Sequence, residues 1–297
     1  MGIESKLRAT SDTTLALIDP ASTPGFKGNK RDAVKALAKG VAEVGDLQER
    51  LFAESLDGGR RSVLLVLQGM DTSGKGGTVE HVLQDVDPHG LTVHSFKVPT
   101  AEEQAHDFLW RIRPHLPVPG FLAVFDRSHY EDVLIERVHQ LSPAAEIEKR
   151  YGLITEFEAE VAASGTTIIK IMLHISAKEQ RARLLARLED PTKQWKFNPS
   201  DVDERAFWNQ YQEAYEIAVR RTTTDAAPWY VVPGDHKWYS RLAVQDILLT
   251  HLRALDPKWP GPDYDVAAQR ARLRRRRRRP DGTSSGSPRV PSRGSSL

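Results

Sequence analysis

The stretch "SVLLVLQGMDTSGKGGTVEHV", residues 62–82, decides the fold class. Val63 to Leu67 form a continuous aliphatic run bounded by Ser62 and Gln68, as a strand buried on both faces of a parallel sheet requires. A glycine-rich turn follows, then a helical pattern. The turn reads G-x-x-x-x-G-K, with Gly69, Gly74 and Lys75 in register. Between a strand and a helix this motif holds phosphate: glycines let backbone N–H groups approach the oxygens, the helix N-terminus favours an anion, and the lysine neutralises charge. Gly69, Gly74, Gly76, Gly77 and Thr78 are the candidate phosphate-holding positions, and Lys75 is the candidate catalytic cation. The alternative is a glycine-rich turn with no ligand.

Working outward, further strands are expected at 91–97, 121–126, 166–175 and 228–232, with helices between them. One helix, over 30–55, shows a stripe of Leu37, Val41, Val44, Leu47 and Leu51. Another is expected at 101–113. Alternating strands and helices around a buried sheet make a doubly wound α/β layer. Residues 1–28 read as an irregular segment and 29–261 as the catalytic domain. In 176–224 strands give way to long charged helices interrupted at "EDPTKQWKFNPSD", where a mobile lid is expected. Residues 262–297, rich in Arg, Ser and Pro, read as a disordered tail.

The chain has no cysteine, which excludes disulfides, thiolate metal sites and cysteine nucleophiles. Its longest aliphatic run is far short of the roughly 20 residues that span a bilayer, and the start carries no apolar segment of signal-peptide length, so a cytoplasmic protein without membrane association is expected. The net charge of +2 is uneven. Residues 262–297 hold ten Lys/Arg against three Asp/Glu, a net +7, so the rest of the chain carries −5. Nucleic acid is therefore not an expected partner of the body; the tail, with its Arg274–Arg279 run, would bind polyanions non-specifically. The ten histidines show no zinc-binding spacing.

Gly76 stands where a phosphate loop usually carries a metal-binding hydroxyl, so oxygen ligands must come from elsewhere. Asp71 lies inside the loop, and Asp126 lies at the end of the third strand, where open α/β sheets place their sites. Two carboxylates there would recruit the hard cation of phosphoryl transfer. The alternatives are a turn residue bonding its own backbone for Asp71 and a helix cap for Asp126. Arg127 follows directly, placed to meet a transferring phosphoryl group. Arg181, Arg183, Arg187, Lys193 and Lys196 crowd the candidate lid; each alone fits a solvated helix, and together they favour a long polyanion. Trp195 reads equally as a base-stacking residue or as packing beneath the lid, and Trp208, Tyr211 and Tyr215 as packing.

From Lys30 to Leu255 the sequence resembles the second polyphosphate kinase family, in "GMDTSGKGGT", "FDRSHYEDVLIERVH", "DPTKQWKFNPSDVDERAFW" and "APWYVVPGDHKWYSRLAV". "FKVPTAEEQAHDFLWR" and "PGDHKWYSRLAV" are most similar to its third subgroup, whose members phosphorylate both AMP and ADP. The resemblance implies a three-layer P-loop kinase-like α/β/α fold with a helical lid, Mg²⁺ (Mn²⁺ as substitute), and inorganic polyphosphate in a cationic channel. It also implies ADP or AMP as acceptors, with GDP or GMP as further candidates, and a homo-oligomer, dimer or tetramer. Carried over by motif, Asp71, Lys75 and Arg127 are catalytic, and Asp71 and Asp126 hold the metal. Lys97, Arg181, Arg187, Lys193 and Lys196 are the channel and lid cations. Two other readings compete: an ATP-dependent nucleoside monophosphate or thymidylate-type kinase, and a non-catalytic polyanion-binding protein.

Overall fold

The computed structural model describes residues 2–276, in two units, one up to Trp259 and the other from Pro260. In the first unit the strands are β1 (Ser62–Gln68), β2 (Leu91–Ser95), β3 (Leu122–Asp126), β4 (Thr166–His174) and β5 (Trp229–Pro233). They form one sheet in the order β2-β3-β1-β4-β5 with every pairing parallel. Its helices are α1 (Ile3–Leu7), α2 (Lys30–Leu56), α3 (Lys75–Val82), α4 (Ala101–Gln104), α5 (Glu131–Val138), α6 (Ala144–Ala163), α7 (Ala177–Glu189), α8 (Ser200–Asp203), α9 (Trp208–Thr222) and α10 (Lys237–Leu255). The second unit contains α11 (Val266–Arg276).

Strand alternation divides the core in two. On one face Leu64, Val66, Ala123, Phe125, Ile168 and Met172 pack with residues of α5, α6 and α9. On the other, Val63, Leu65, Leu67, Leu122, Val124, Ile169 and Ile171 pack with residues of α2, α3 and α10. Both faces of β1 are covered, which is why its sequence carries no polar alternation. Helix α2 starts at a capping box: Asn29 Oδ1 accepts from the N–H groups of Arg31 and Asp32, and Asp32 Oδ2 accepts from Asn29 N–H. Among the described residues no helix is long and apolar enough to cross a membrane.

Three segments differ from the sequence reading. Residues 1–28 are not merely irregular: Ile3, Leu7 and Leu15 are buried, Ala9 N–H donates to Trp229 O at 2.8 Å, and Arg8 forms an antiparallel bridge with Tyr230. The segment covers the edge of β5, which would otherwise present unpaired backbone groups. The helix expected at 101–113 stops after Gln104, because Asp107 Oδ1 accepts from Leu109 N–H at 3.1 Å and starts a turn, and Pro114 enforces a short 3₁₀ segment at Arg113–His115. Within the expected disordered tail, Val266–Arg276 is helical; Ala, Gln, Arg and Leu favour the helix, and Asp265 Oδ1 accepts from Ala268 N–H at its start. The remainder of that tail, 277–297, lies outside the described residues.

Candidate active site

Leu67 pairs with Asp126 in the register of β1 and β3, so the glycine loop and the turn after β3 leave the sheet side by side. Arg127 N–H donates to Leu67 O at 3.0 Å, and the Arg127 guanidinium donates to Asp71 Oδ1 at 2.8 Å. Asp71 thus reaches across the site instead of closing a turn on its own backbone. Arg127 has φ 64°, the left-handed region, a conformation that costs a non-glycine residue about 1–3 kcal/mol. Burial lowers the Arg127 pKa, but Glu131 and Asp71 outweigh it and hold the guanidinium charged well above its ordinary range. Asp126 is not a helix cap, since α5 begins at Glu131 with Tyr130 at the cap position.

The loop itself is shaped by backbone. Gly69 has φ 145° and Gly74 φ 109°, and no side chain caps α3, so its first N–H groups point into the loop. A Cβ on Gly69 would lie 2.7 Å from Leu173 O and 2.9 Å from Ser73 Oγ, whereas one on Gly76 would meet nothing within 4 Å. Lys75 Nζ donates to Gly69 O at 3.0 Å, folding the lysine back over the loop. From α7, the buried Arg183 clamps the loop from behind. Its guanidinium donates to Thr72 O, Ser73 O and Gly234 O at 3.0, 2.8 and 2.6 Å, and also pairs with Glu179.

Beside the loop lies a cleft of about 500 Å³. Thr72, Gly74, Gly77 and Thr78 of the loop line it together with Arg183 and its partner Glu179, with Arg187, Lys193 and Lys196 from α7 and the segment after it, and with Lys237 and Arg241 at the start of α10. Burial and then Arg183 lower the pKa of Lys237; burial lowers that of Arg241, with Arg183 adding to it and Glu80 opposing. Positive charge gathered at this density is built for an anion. Sequence reasoning missed Lys237 and Arg241, which were visible only as part of "GDHKWYSRLAV". Lys97 and Arg181 are exposed and do not line this cleft. Trp195 is 77% exposed with Lys196 Nζ 5.0 Å from its ring centre, so it does not pack beneath the charged segment.

Two further carboxylates enter the site's field. Burial raises the Glu131 pKa against the opposing pull of Arg127 and Lys75. Asp201, 3.4 Å from Arg187, is raised by burial and then by Asp71. Tyr215 and Tyr211 pack in or against the core, and both feel Glu131 and Asp71. Among the described residues no group of three or more His, Asp or Glu forms a metal cage. Mg²⁺ is held by one or two carboxylates together with waters and substrate phosphates, and Asp71 and Asp126, on the adjacent ends of β1 and β3, fit that donor set.

The family model for polyphosphate kinase 2 matches residues 27–260. The chain belongs to the polyphosphate kinase 2 family. It is similar to the AMP/ADP-polyphosphate phosphotransferase of Meiothermus ruber, 47% identical over 249 residues that cover 84% of this chain and 92% of that protein. It is also similar to the ADP-polyphosphate phosphotransferase of Rhodopseudomonas palustris, 40% identical over 81% of this chain and 86% of the relative. The crystal structure of polyphosphate kinase 2 from Arthrobacter aurescens TC1 superposes with a TM-score of 0.90 at 50% identity, covering 93% of this chain and 97% of the other. The P-loop kinase-like α/β architecture of this family is therefore the architecture of this chain.

Proposed function

We propose that the chain transfers the terminal phosphoryl group of inorganic polyphosphate to the β-phosphate of ADP or the α-phosphate of AMP, reversibly and by in-line displacement. The observation that carries this reading is the cleft beside the phosphate loop, lined by Arg187, Lys193 and Lys196 and by Lys237 and Arg241. Five cations line the cleft besides Arg183, which is paired with Glu179; they exceed what a single terminal phosphate needs and suit a polymer of phosphates. The names of the Meiothermus and Rhodopseudomonas relatives support the same donor and acceptors.

An attacking phosphate oxygen is already ionised near neutral pH, so the site has little general-base work to do. Its residues align and neutralise instead. Lys75 and the N–H groups of the glycine loop hold phosphate oxygens. Arg127 offsets the negative charge on the oxygens of the transferring group, and Asp71 orients Arg127 through their ion pair. Asp71 and Asp126 would hold Mg²⁺, which when bound supplies charge neutralisation between donor and acceptor phosphates. Of the charged segment 176–224, α7 is fixed to the loop by Arg183 and α9 is packed in the core, so only the exposed stretch between them, with Lys193 and Lys196, would act as the lid that keeps the polymer in the cleft. The enzyme would assemble as a dimer or tetramer.

Product analysis with polyphosphate or ATP as donor, and AMP, ADP or GDP as acceptor, tests the reading. Phosphorylation of AMP and ADP from polyphosphate is expected. Brisk turnover from ATP with none from polyphosphate would overturn it.

A further inference from the structure

A lysine sits in the middle of the buried strand β4. Lys170 is 0% exposed, on the same face as Ile168 and Met172. Its Nζ donates to Glu158 Oε2 at 2.5 Å, to Tyr130 OH at 2.9 Å and to Thr222 O at 2.8 Å. Glu158, from α6 and 2% exposed, accepts at Oε1 from Tyr130 OH at 2.8 Å and from His129 Nε2 at 3.2 Å. Burial pushes the Glu158 carboxyl up, but Lys170 and His129 outweigh it and keep the carboxylate charged. Buried ion pairs are often no more stabilising than apolar side chains of the same size. Stability alone is thus a weak reason for this one.

Its position supplies a better reason. His129 and Tyr130 are buried in the turn between Arg127 and Glu131. From the side of β1, Gln68 Nε2 donates to Ser128 Oγ at 3.1 Å, and that oxygen also accepts from Tyr130 N–H. From beneath, the Lys170–Glu158 pair grips Tyr130 and His129. The turn so held contains Arg127 in its left-handed conformation, aimed at Asp71. Strained backbone of this kind persists only where its surroundings over-determine it.

We propose that Lys170 and Glu158 are positioning residues for phosphoryl transfer: through Tyr130 and His129 they fix the turn that directs Arg127 at the phosphate loop. The inference rests on the reading of Arg127 as the cation that meets the transferring group. Neither side chain touches substrate. Replacing both by apolar residues keeps the core filled while releasing the turn.

The test compares kcat, and KM for polyphosphate and ADP, in K170M/E158L, R127A and the triple variant. For K170M/E158L, kcat is expected to fall about tenfold to a hundredfold, as small misplacements of an aligned group do. Both KM values should stay near the parent's, because the cleft cations are untouched. The triple variant should be no slower than R127A, since the pair acts through that residue. A folded K170M/E158L with parental kcat beside an impaired R127A overturns the inference alone, and so does a triple variant in which the two losses multiply. A parental R127A overturns the underlying reading of the site. If K170M/E158L does not fold, Y130F, which removes one hydroxyl from a ring of the same shape, replaces it. A loss of about threefold or more that vanishes on R127A supports the inference, and parental kcat overturns it.

Discussion

Arg127 and Asp71 meet at 2.8 Å, joining the turn after β3 to the loop after β1. Their side chains are 40% and 27% exposed, so the pair adds at most about 1 kcal/mol to stability, and the role proposed for it is chemical. Asp71→Asn is therefore expected to cut turnover by about a hundredfold or more. Urea unfolding should shift by less than about 1 kcal/mol. Near-parental turnover would remove Asp71 from the catalytic set.

Lys237 and Arg241 line the cleft beside the phosphate loop, where the proposed polymer would lie. Removing either leaves the loop, Asp71 and Arg127 in place. Lys237→Ala and Arg241→Ala should each raise KM for long polyphosphate several-fold at low salt, with kcat little changed. The difference should shrink at about 0.5 M salt, where charges separated by several ångströms are screened. A KM that is unaffected, or an effect insensitive to salt, would place the polymer elsewhere.

Much of this architecture was legible from local pattern. Val63 to Leu67 announced a strand buried on both faces, and the glycine loop at its end marked the candidate site. What was not legible depends on phase and on distance along the chain. Arg183 and Arg187 are four residues apart and both reach the loop or its cleft, whereas Arg181 is turned away by its place on the same helix. The sequence contained the helix but not its rotation relative to the loop. Lys237 and Arg241 are remote from Gly74 in the chain, and only the closing helix α10 brings them beside it. Lys97, named from resemblance, lies exposed after β2, where its carbonyl accepts from Arg111. Lys170 was hidden for the opposite reason: inside an apolar strand it broke the pattern without declaring a partner.

Arg183 shows how a cation in a basic run becomes structural. It satisfies carbonyls of the loop and of the segment after β5. Arg183→Met keeps the aliphatic stem but leaves those buried acceptors unpaired, with an expected loss of about 3 kcal/mol. Chemical denaturation measures this loss. A stability within 1 kcal/mol of the parent's, by the same scale of buried unpaired groups, would mean that water replaces the guanidinium without cost.

Asp132 gives a pH signature. Burial pushes its carboxyl up to about 7, with Arg111 and Arg150 opposing, and its Oδ2 has no hydrogen-bond partner among the described residues. In the unfolded chain an aspartate titrates near 3.9. Between roughly pH 4 and 7 the folded protein therefore keeps a proton that the unfolded chain has released, and stability falls as pH rises, by at most about 1.4 kcal/mol per pH unit from this group. Asp132→Asn removes the dependence. Urea unfolding should find the variant gaining on the parent between pH 5 and pH 8; equal slopes would contradict the buried, protonated carboxyl.

Gly69 and Gly76 test whether the loop's glycines serve the fold or the phosphate. At Gly69 the backbone is left-handed and a Cβ would press on Leu173 O and Ser73 Oγ, so Gly69→Ala should destabilise by about 2 kcal/mol and lower turnover with it. At Gly76 the φ is ordinary and a Cβ meets no protein atom. Gly76→Ala should therefore hold or raise stability by about 0.5 kcal/mol, through better helix propensity in the first turn of α3. If phosphate oxygens approach the backbone there, the added methyl still obstructs them, and turnover should fall by up to about a hundredfold, as for other displacements of about an ångström at a reacting centre. Thermal unfolding and a polyphosphate-dependent ATP assay on both variants separate the two roles. A Gly76→Ala enzyme with parental activity would remove Gly76 from the phosphate-holding set while leaving Gly69 in its structural place.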